Sequence, residues 1–163
     1  MRFICLFSLL LLSACGFTPV YGTQGTANEA NIVEGLTQVD IAIIPNREGQ
    51  FLRNALIDRF YKNGAPDAPR YILRVRPISE QTYDFDITIE SEATRRQLRL
   101  NTQMSLVEAQ SKKTVLTRNL LSIASYNVLQ SEFSTIVTEQ AARDDALNDL
   151  ARQIELQVKL YLK

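Results

Sequence analysis

Hydrophobic positions recur at two different spacings along the chain, and the order of those spacings predicts its elements. Over 39–43, Val39, Ile41 and Ile43 alternate with Asp40 and Ala42 until Pro45-Asn46, which predicts a first strand. From Gln50 the step changes. Phe51, Leu52, Ala55, Leu56 and Phe60 return at helical intervals as far as Asn63-Gly64, with Pro66 and Pro69 beyond, so an amphipathic helix of about three turns follows. Tyr71, Leu73 and Val75 alternate with Ile72, Arg74 and Arg76 until Pro77, and Tyr83, Phe85, Ile87 and Ile89 alternate with Asp84, Asp86, Thr88 and Glu90. The fourth strand is the most regular, with Leu98, Leu100, Thr102, Met104 and Leu106 on one face and Gln97, Arg99, Asn101, Gln103 and Ser105 on the other. Such alternation belongs to an antiparallel sheet with one covered and one wet face.

Gln110-Ser111-Lys112-Lys113 forms a hairpin loop into a fifth run over 114–126. Leu116 and Leu120 point one way while Val115, Leu121 and Ile123 fall out of step, which predicts a bulge or burial on both sides. From about Ser134 to the end, Ile136, Val137, Ala141, Leu147, Leu150, Ala151, Ile154, Val158 and Tyr161 return at steps of three and four. Asp144 and Asp145 stand early in this helix and Lys159 and Lys163 late, an order that complements the helix dipole. The expected fold is α+β: two helices packed on a mostly antiparallel four- to five-stranded sheet, in the order β-α-β-β-β-β-α. No internal repeat is present.

The beginning of the chain has another character. Arg2 is followed by an apolar run over 3–12, which has the length of a signal peptide and falls short of the ~18 residues needed to span a bilayer. It ends in Leu12-Ser13-Ala14-Cys15, which resembles a bacterial lipobox, where the signal is cut before the cysteine and that cysteine is lipidated. Gly16, and not Asp, follows Cys15; by resemblance to enterobacterial lipoproteins this favours the outer membrane. Residues 22–38 are rich in Gly, Thr, Asn, Gln and Glu and read as a tether. The expected division is a signal peptide over 1–14, a lipidated N-terminus and tether over 15–38, and a single α+β domain over 39–163. Several acyl chains on Cys15, each buried methylene adding ~0.8 kcal/mol, would hold the protein on a membrane.

Composition narrows the chemistry. The 163 residues include no His and two Cys, of which Cys5 leaves with the signal. A Ser-His-Asp triad, a Cys-His pair, the usual zinc site and an intramolecular disulfide are therefore all excluded from the mature chain. Carboxylates occur in pairs, Asp84 with Asp86, Glu90 with Glu92 and Asp144 with Asp145, but Asp84 and Asp86 lie on the strand face opposite Tyr83 and Phe85 and are expected to be solvated. No glycine-rich stretch matches a phosphate loop or nucleophile elbow, and no cofactor is implied.

Lys plus Arg and Asp plus Glu number 18 each, and this balance argues against a nucleic-acid partner. The distribution is uneven all the same. Residues 70–118 hold nine Lys and Arg against six Asp and Glu, whereas 15–69 and 119–163 each hold four against six. Arg95, Arg96 and Arg99 cluster at the start of the fourth strand and present planar donor forks suited to a phosphorylated glycolipid, while Lys112-Lys113 marks a solvated hairpin tip.

Four pieces then carry a resemblance: Cys15-Gly16-Phe17-Thr18-Pro19-Val20-Tyr21-Gly22 after the cleavage point, Asn46-Arg47-Glu48-Gly49-Gln50-Phe51-Leu52-Arg53-Asn54 at the start of the first helix, Ser125-Tyr126-Asn127-Val128 after the last strand, and the terminal helix. In this order they resemble the LptE family of lipopolysaccharide (LPS) assembly lipoproteins, in the form found in alphaproteobacteria. The resemblance implies a non-enzymatic outer-membrane subunit of the LPS translocon, lipid-anchored at the periplasmic face, that plugs the LptD β-barrel as a heterodimer, assists its assembly and binds LPS for insertion into the outer leaflet. Some relatives are linked to LPS through basic residues on strands and in the loop before the last helix. Residues 127–142 here contain no Lys or Arg, so an LPS contact would rest on Arg95, Arg96 and Arg99. The residues alone also leave open a free-standing periplasm-facing lipoprotein that binds another ligand or acts as a carboxylate-based hydrolase.

Overall fold

The structure, a computed structural model, describes residues 35–61, 64–87 and 93–163. They form β1 (Val39–Ile41), α1 (Asn46–Phe60), β2 (Tyr71–Val75), β3 (Ser79–Ile87), β4 (Ala93–Glu108), β5 (Thr114–Asn127) and α2 (Glu132–Leu162), the predicted order. Cys15, the tether as far as residue 34, Glu90 and Glu92 lie outside the described residues.

The most regular alternation of the sequence becomes the middle of the sheet. β5 runs antiparallel along one side of β4, while the other side of β4 takes two strands in succession: β2 opposite Met104–Glu108 and β3 opposite Ala93–Asn101. β2 and β3 are thus one edge broken at Arg76, Pro77 and Ile78. Pro77 has no N–H to donate to a ladder, and the break is closed around it. The Arg76 N–H reaches the Gln103 carbonyl at 2.9 Å, and the buried Thr102 hydroxyl donates to the Arg76 carbonyl at 2.8 Å. β1 adds to the far side of β2 as the one parallel pair, Val39 opposite Tyr71. The sheet therefore has five strands, four abreast at its widest, with the first strand joined at its edge.

Leu98, Leu100, Met104 and Leu106 are fully buried on the covered face of β4, and Leu73, Val75, Leu120 and Tyr126 join them from the flanking strands. α2 lies over β5 and β4, and α1 packs between β1 and α2. α1 buries Gly49, Leu52, Leu56 and Phe60; α2 buries Ala142, Ala146, Leu147, Leu150, Ala151, Ile154 and Val158. Gly49 lies so close to the loop before α1 that a Cβ there would meet the Ile44 side chain at 2.7 Å and its carbonyl oxygen at 2.9 Å. Leu36 also enters the core and Gly35 stands against Leu162, so packing reaches back into the stretch whose composition reads as tether.

Several sequence expectations shift. α1 starts at Asn46 and not Gln50, because its first turn, Asn46 to Gly49, carries no large apolar side chain to mark it. α2 starts at Glu132, which places Asp144 and Asp145 in its interior; Glu132 is the first-turn acid and Lys159 the last-turn base. Ile136, Val137 and Ala141 are exposed, since α2 buries residues only from Ala142 onward. The fifth run is out of step because Leu106 pairs with Leu116 and Val107 with Thr114, leaving Val115 as an inserted residue. Leu121 and Ile123, beyond this irregularity, lie on the uncovered face.

Candidate functional site

The uncovered face of the sheet is read in rows across three strands. From one end they are Arg74, Ser105 and Thr117; Arg76, Gln103 and Asn119; Ser79, Asn101 and Leu121; Gln81, Arg99 and Ile123; Tyr83, Gln97 and Ser125; and lastly Arg95 beside Asn127. Directly paired residues share a face and rows lie about 6.7 Å apart, so Arg95 and Arg99 are separated by about 13 Å along β4. Tyr83, Leu121 and Ile123 are 45%, 46% and 48% exposed here.

The sequence groups Arg95, Arg96 and Arg99; the structure brings Arg95 and Arg99 together and puts Arg96 on the other side. The Arg99 guanidinium stands 4.7 Å from the centre of the Tyr83 ring, and its Nε donates to Gln97 Oε1 at 2.8 Å. The ring face and the Gln97 oxygen together hold the guanidinium in place on the open face. Arg95 is exposed, with no ion pair among the described residues. Arg96 instead sits between Asp84 on β3 and Tyr126 on β5, and its Nε donates to Asp84 Oδ1 at 2.9 Å. That hydrogen bond, followed by the contact with Tyr126, raises the Arg96 pKa and keeps its charge engaged. Adjacent residues of one strand point to opposite faces, so a run of Arg95-Arg96 cannot act as a unit on a sheet.

On the covered side the network continues toward α2. The Tyr126 hydroxyl donates to Glu139 at 3.2 Å, and burial, then the Glu139 charge, pushes its phenol up. Arg143 binds Glu80 through two nitrogens, each at 2.8 Å, and Glu139 at 2.6 Å; these bonds, Glu80 first, raise its pKa further. Asp84 and Glu80 are thus held by arginines, as their place in the register requires. The expectation that Tyr83 marks the covered side of its strand is corrected here: Thr82 and Asp84 pair with Leu98 and Arg96 and share the helix side, while Tyr83 faces out.

All six ion pairs among the described residues lie on the helix side of the sheet: Arg59 and Lys159 with Glu155, Arg143 with Glu80 and Glu139, Arg152 with Asp149, and Arg96 with Asp84. Arg74, Arg76, Arg95 and Arg99 on the open face belong to none of them. Arg74 and Arg76 carry the same signal as Arg99 in their own strand, but only the register joins the two sets. Lys112 and Lys113 sit at the exposed hairpin tip, with Lys112 at φ +58°. No group of three potential metal ligands occurs among the described residues.

Comparison with known proteins gives the architecture a family. A protein described as a lipoprotein from Caulobacter crescentus superposes with a TM-score of 0.63 at 21% identity, covering 82% of this chain and 96% of its own. Rare lipoprotein B from Shewanella oneidensis (TM-score 0.56, 11% identity, 73% of this chain, 90% of its own) and a minor lipoprotein from Acinetobacter baumannii (0.56, 20%, 76% and 90%) share the fold. No curated protein matches the chain in sequence. The family model described as LptE, lipopolysaccharide-assembly, matches residues 36–158, which run from the buried Leu36 before β1 almost to the end of α2. The chain therefore belongs to the LptE family of LPS-assembly proteins.

Proposed function

We propose that this protein is the lipid-anchored, non-enzymatic subunit of an LPS translocon, held at the periplasmic face of the outer membrane through Cys15. In this reading it plugs the LptD β-barrel, assists the barrel's assembly and contacts LPS on its way to the outer leaflet. The observation that carries the reading is the family match over 36–158 on the two-helix, five-stranded fold. For the LPS contact, support comes from Arg95 and Arg99, which share the open face, stand in no ion pair among the described residues and offer donor forks to phosphate. Arg96 is left out of that contact because Asp84 already holds it on the other face.

A catalytic step has no part in the proposal. A general acid needs its carboxyl pushed up, whereas Asp149 and Glu155 are held down: burial raises each, but hydrogen bonds from Gln153, Ser122 and Arg152 to the first, and from Lys159 and Arg59 to the second, outweigh it. Depleting the protein should lower both the amount of correctly folded LptD and the LPS at the cell surface; unchanged levels of both would overturn the proposal. Replacing Arg95 and Arg99 together by Glu should weaken LPS binding, with Arg96→Glu as the comparison that changes it little. Undiminished binding by the double variant would remove this face from the LPS contact.

A further inference from the structure

The open face carries a second arginine pair that the LPS contact does not use. Arg74 on β2 and Arg76 in the break after it stand at the end of the face remote from Arg95, both exposed and neither in an ion pair among the described residues. On this side of β2, β4 and β5 there is no Asp or Glu among the described residues; the carboxylate in register with the face is Asp40, on β1 opposite Ile72. Among the described residues the ion pairs thus lie on the helix side, and Arg74 and Arg76 on the other side join none of them.

Beside Arg76, where β2 gives way to β3, the face carries a shallow, open cleft of about 400 Å³ lined by Arg76, Pro77, Asn101, Thr102, Gln103, Asn119 and Leu120. Gln103 Nε2 donates to Asn119 Oδ1 at 2.8 Å, which fixes the outer wall of the cleft as an amide pair. One guanidinium with amides around it and no acid matches a carboxylate together with the peptide groups that carry it. Leu121, half-exposed on the next row, adds apolar contact. Arg and apolar side chains without Lys, Asp or Glu form the composition of a protein interface, whereas attachment to anionic lipid headgroups leans on lysine as well.

We infer that this end of the open face docks a protein partner and that the cleft receives an Asp or Glu side chain of that partner beside Arg76. The inference rests on the plug proposal and deepens it by naming the surface and the chemistry of the contact. From the Arg74 row to the Leu121 row the docking strip runs about 13 Å along β4, leaving the Arg99 and Arg95 rows for LPS.

The experiment uses the full chain, affinity-tagged and purified from detergent-solubilised outer membranes, with the LptD recovered alongside it as the readout. Arg74→Glu with Arg76→Glu should reduce recovered LptD by about tenfold, Arg74→Gln with Arg76→Gln by less, and Lys113→Glu at the hairpin tip not at all. Unchanged melting temperatures of the exposed-site variants exclude misfolding as the cause. A photo-crosslinking residue in place of Asn119 should capture LptD through a peptide that contains Asp or Glu. If the wild type recovers LptD and both double variants recover as much, the docking surface is wrong while the plug proposal stands. If Asn119 crosslinks to LPS and not to protein, the cleft takes an acidic glycolipid and the inference falls. If the wild type recovers no LptD at all, the plug proposal and this inference fall together.

Discussion

Tyr61 stands one residue past α1, and its hydroxyl serves β1 twice: it donates to the Val39 carbonyl at 2.8 Å and accepts the Ile41 N–H at 3.1 Å. Among the described residues β1 has a strand neighbour on one side only, so this phenol satisfies backbone groups on its other edge that would otherwise be left in a part-buried site. Arg53 adds a third bond, from its Nε to the Ile41 carbonyl at 3.2 Å. Tyr61→Phe keeps the ring and removes only the hydroxyl. It should cost about 1–3 kcal/mol in a chemical-denaturation experiment, and a loss within error would show that water replaces the bond at no cost. The alternation over 39–43 makes β1 visible in the sequence, but nothing in the sequence points to Tyr61, which falls just where the helical pattern is running out.

At the scale of elements, α2 is tied to its neighbours through two carboxylates. Glu155 accepts from Lys159 at 2.6 Å and from Arg59 on α1 at 3.1 Å, and Asp149 accepts from Ser122 on β5 at 2.9 Å and from Gln153 at 2.7 Å. Both carboxyls are held below their ordinary range in the folded chain, so the stability they contribute is present above that range and is lost as pH falls through it. Melting temperature should therefore stay level near neutrality and drop below about pH 4. In Glu155→Gln the drop should be shallower, and an equally steep acid limb would deny Glu155 this role. Surface exposure of Arg152 and Lys159 keeps the effect modest in salt. At the β4–β5 hairpin, Lys112 sits in the left-handed region that glycine occupies without strain, so Lys112→Gly should stabilise the chain by about 1 kcal/mol. Thermal melts of the pair would check the sign. The glutamine, serine and lysines of the loop signal a turn, but its handedness shows only in the backbone.

For the whole molecule, the two ends differ in what they present. β1 and Gly35 lie beside the end of β4 that carries Leu106 and Glu108, with Leu162 of α2 next to Gly35, whereas Arg95 and Asn127 mark the opposite end, about 40 Å away along the strand. Gly35, the described residue nearest Cys15 in sequence, therefore lies at the end opposite the proposed LPS contact. Replacing Cys15 by Ala should move the protein from the membrane fraction to the soluble fraction, unless the barrel retains it. Retention in a strain that lacks LptD would rule out Cys15 as the anchor.

Hydrophobic spacing alone determined the element types and their order, because a period of two or of 3.6 is a local property that survives any rearrangement of the chain. It also determined the covered face of β4, since Leu98 to Leu106 leave no choice. The tertiary structure decided what spacing cannot express. Alternation states that Arg95 and Arg96 face apart but not which of them shares a side with Arg74, Asp84 or Ile123. That depends on register, where a slip of one residue would exchange the faces of a whole strand. In β3 the apolar signal of Tyr83 even points to the wrong side, because α2 does not cover that strand and the pairing with Gln97 turns the ring outward. Separation of the ion pairs on the helix side from the arginines on the open face that join none among the described residues is a product of that register.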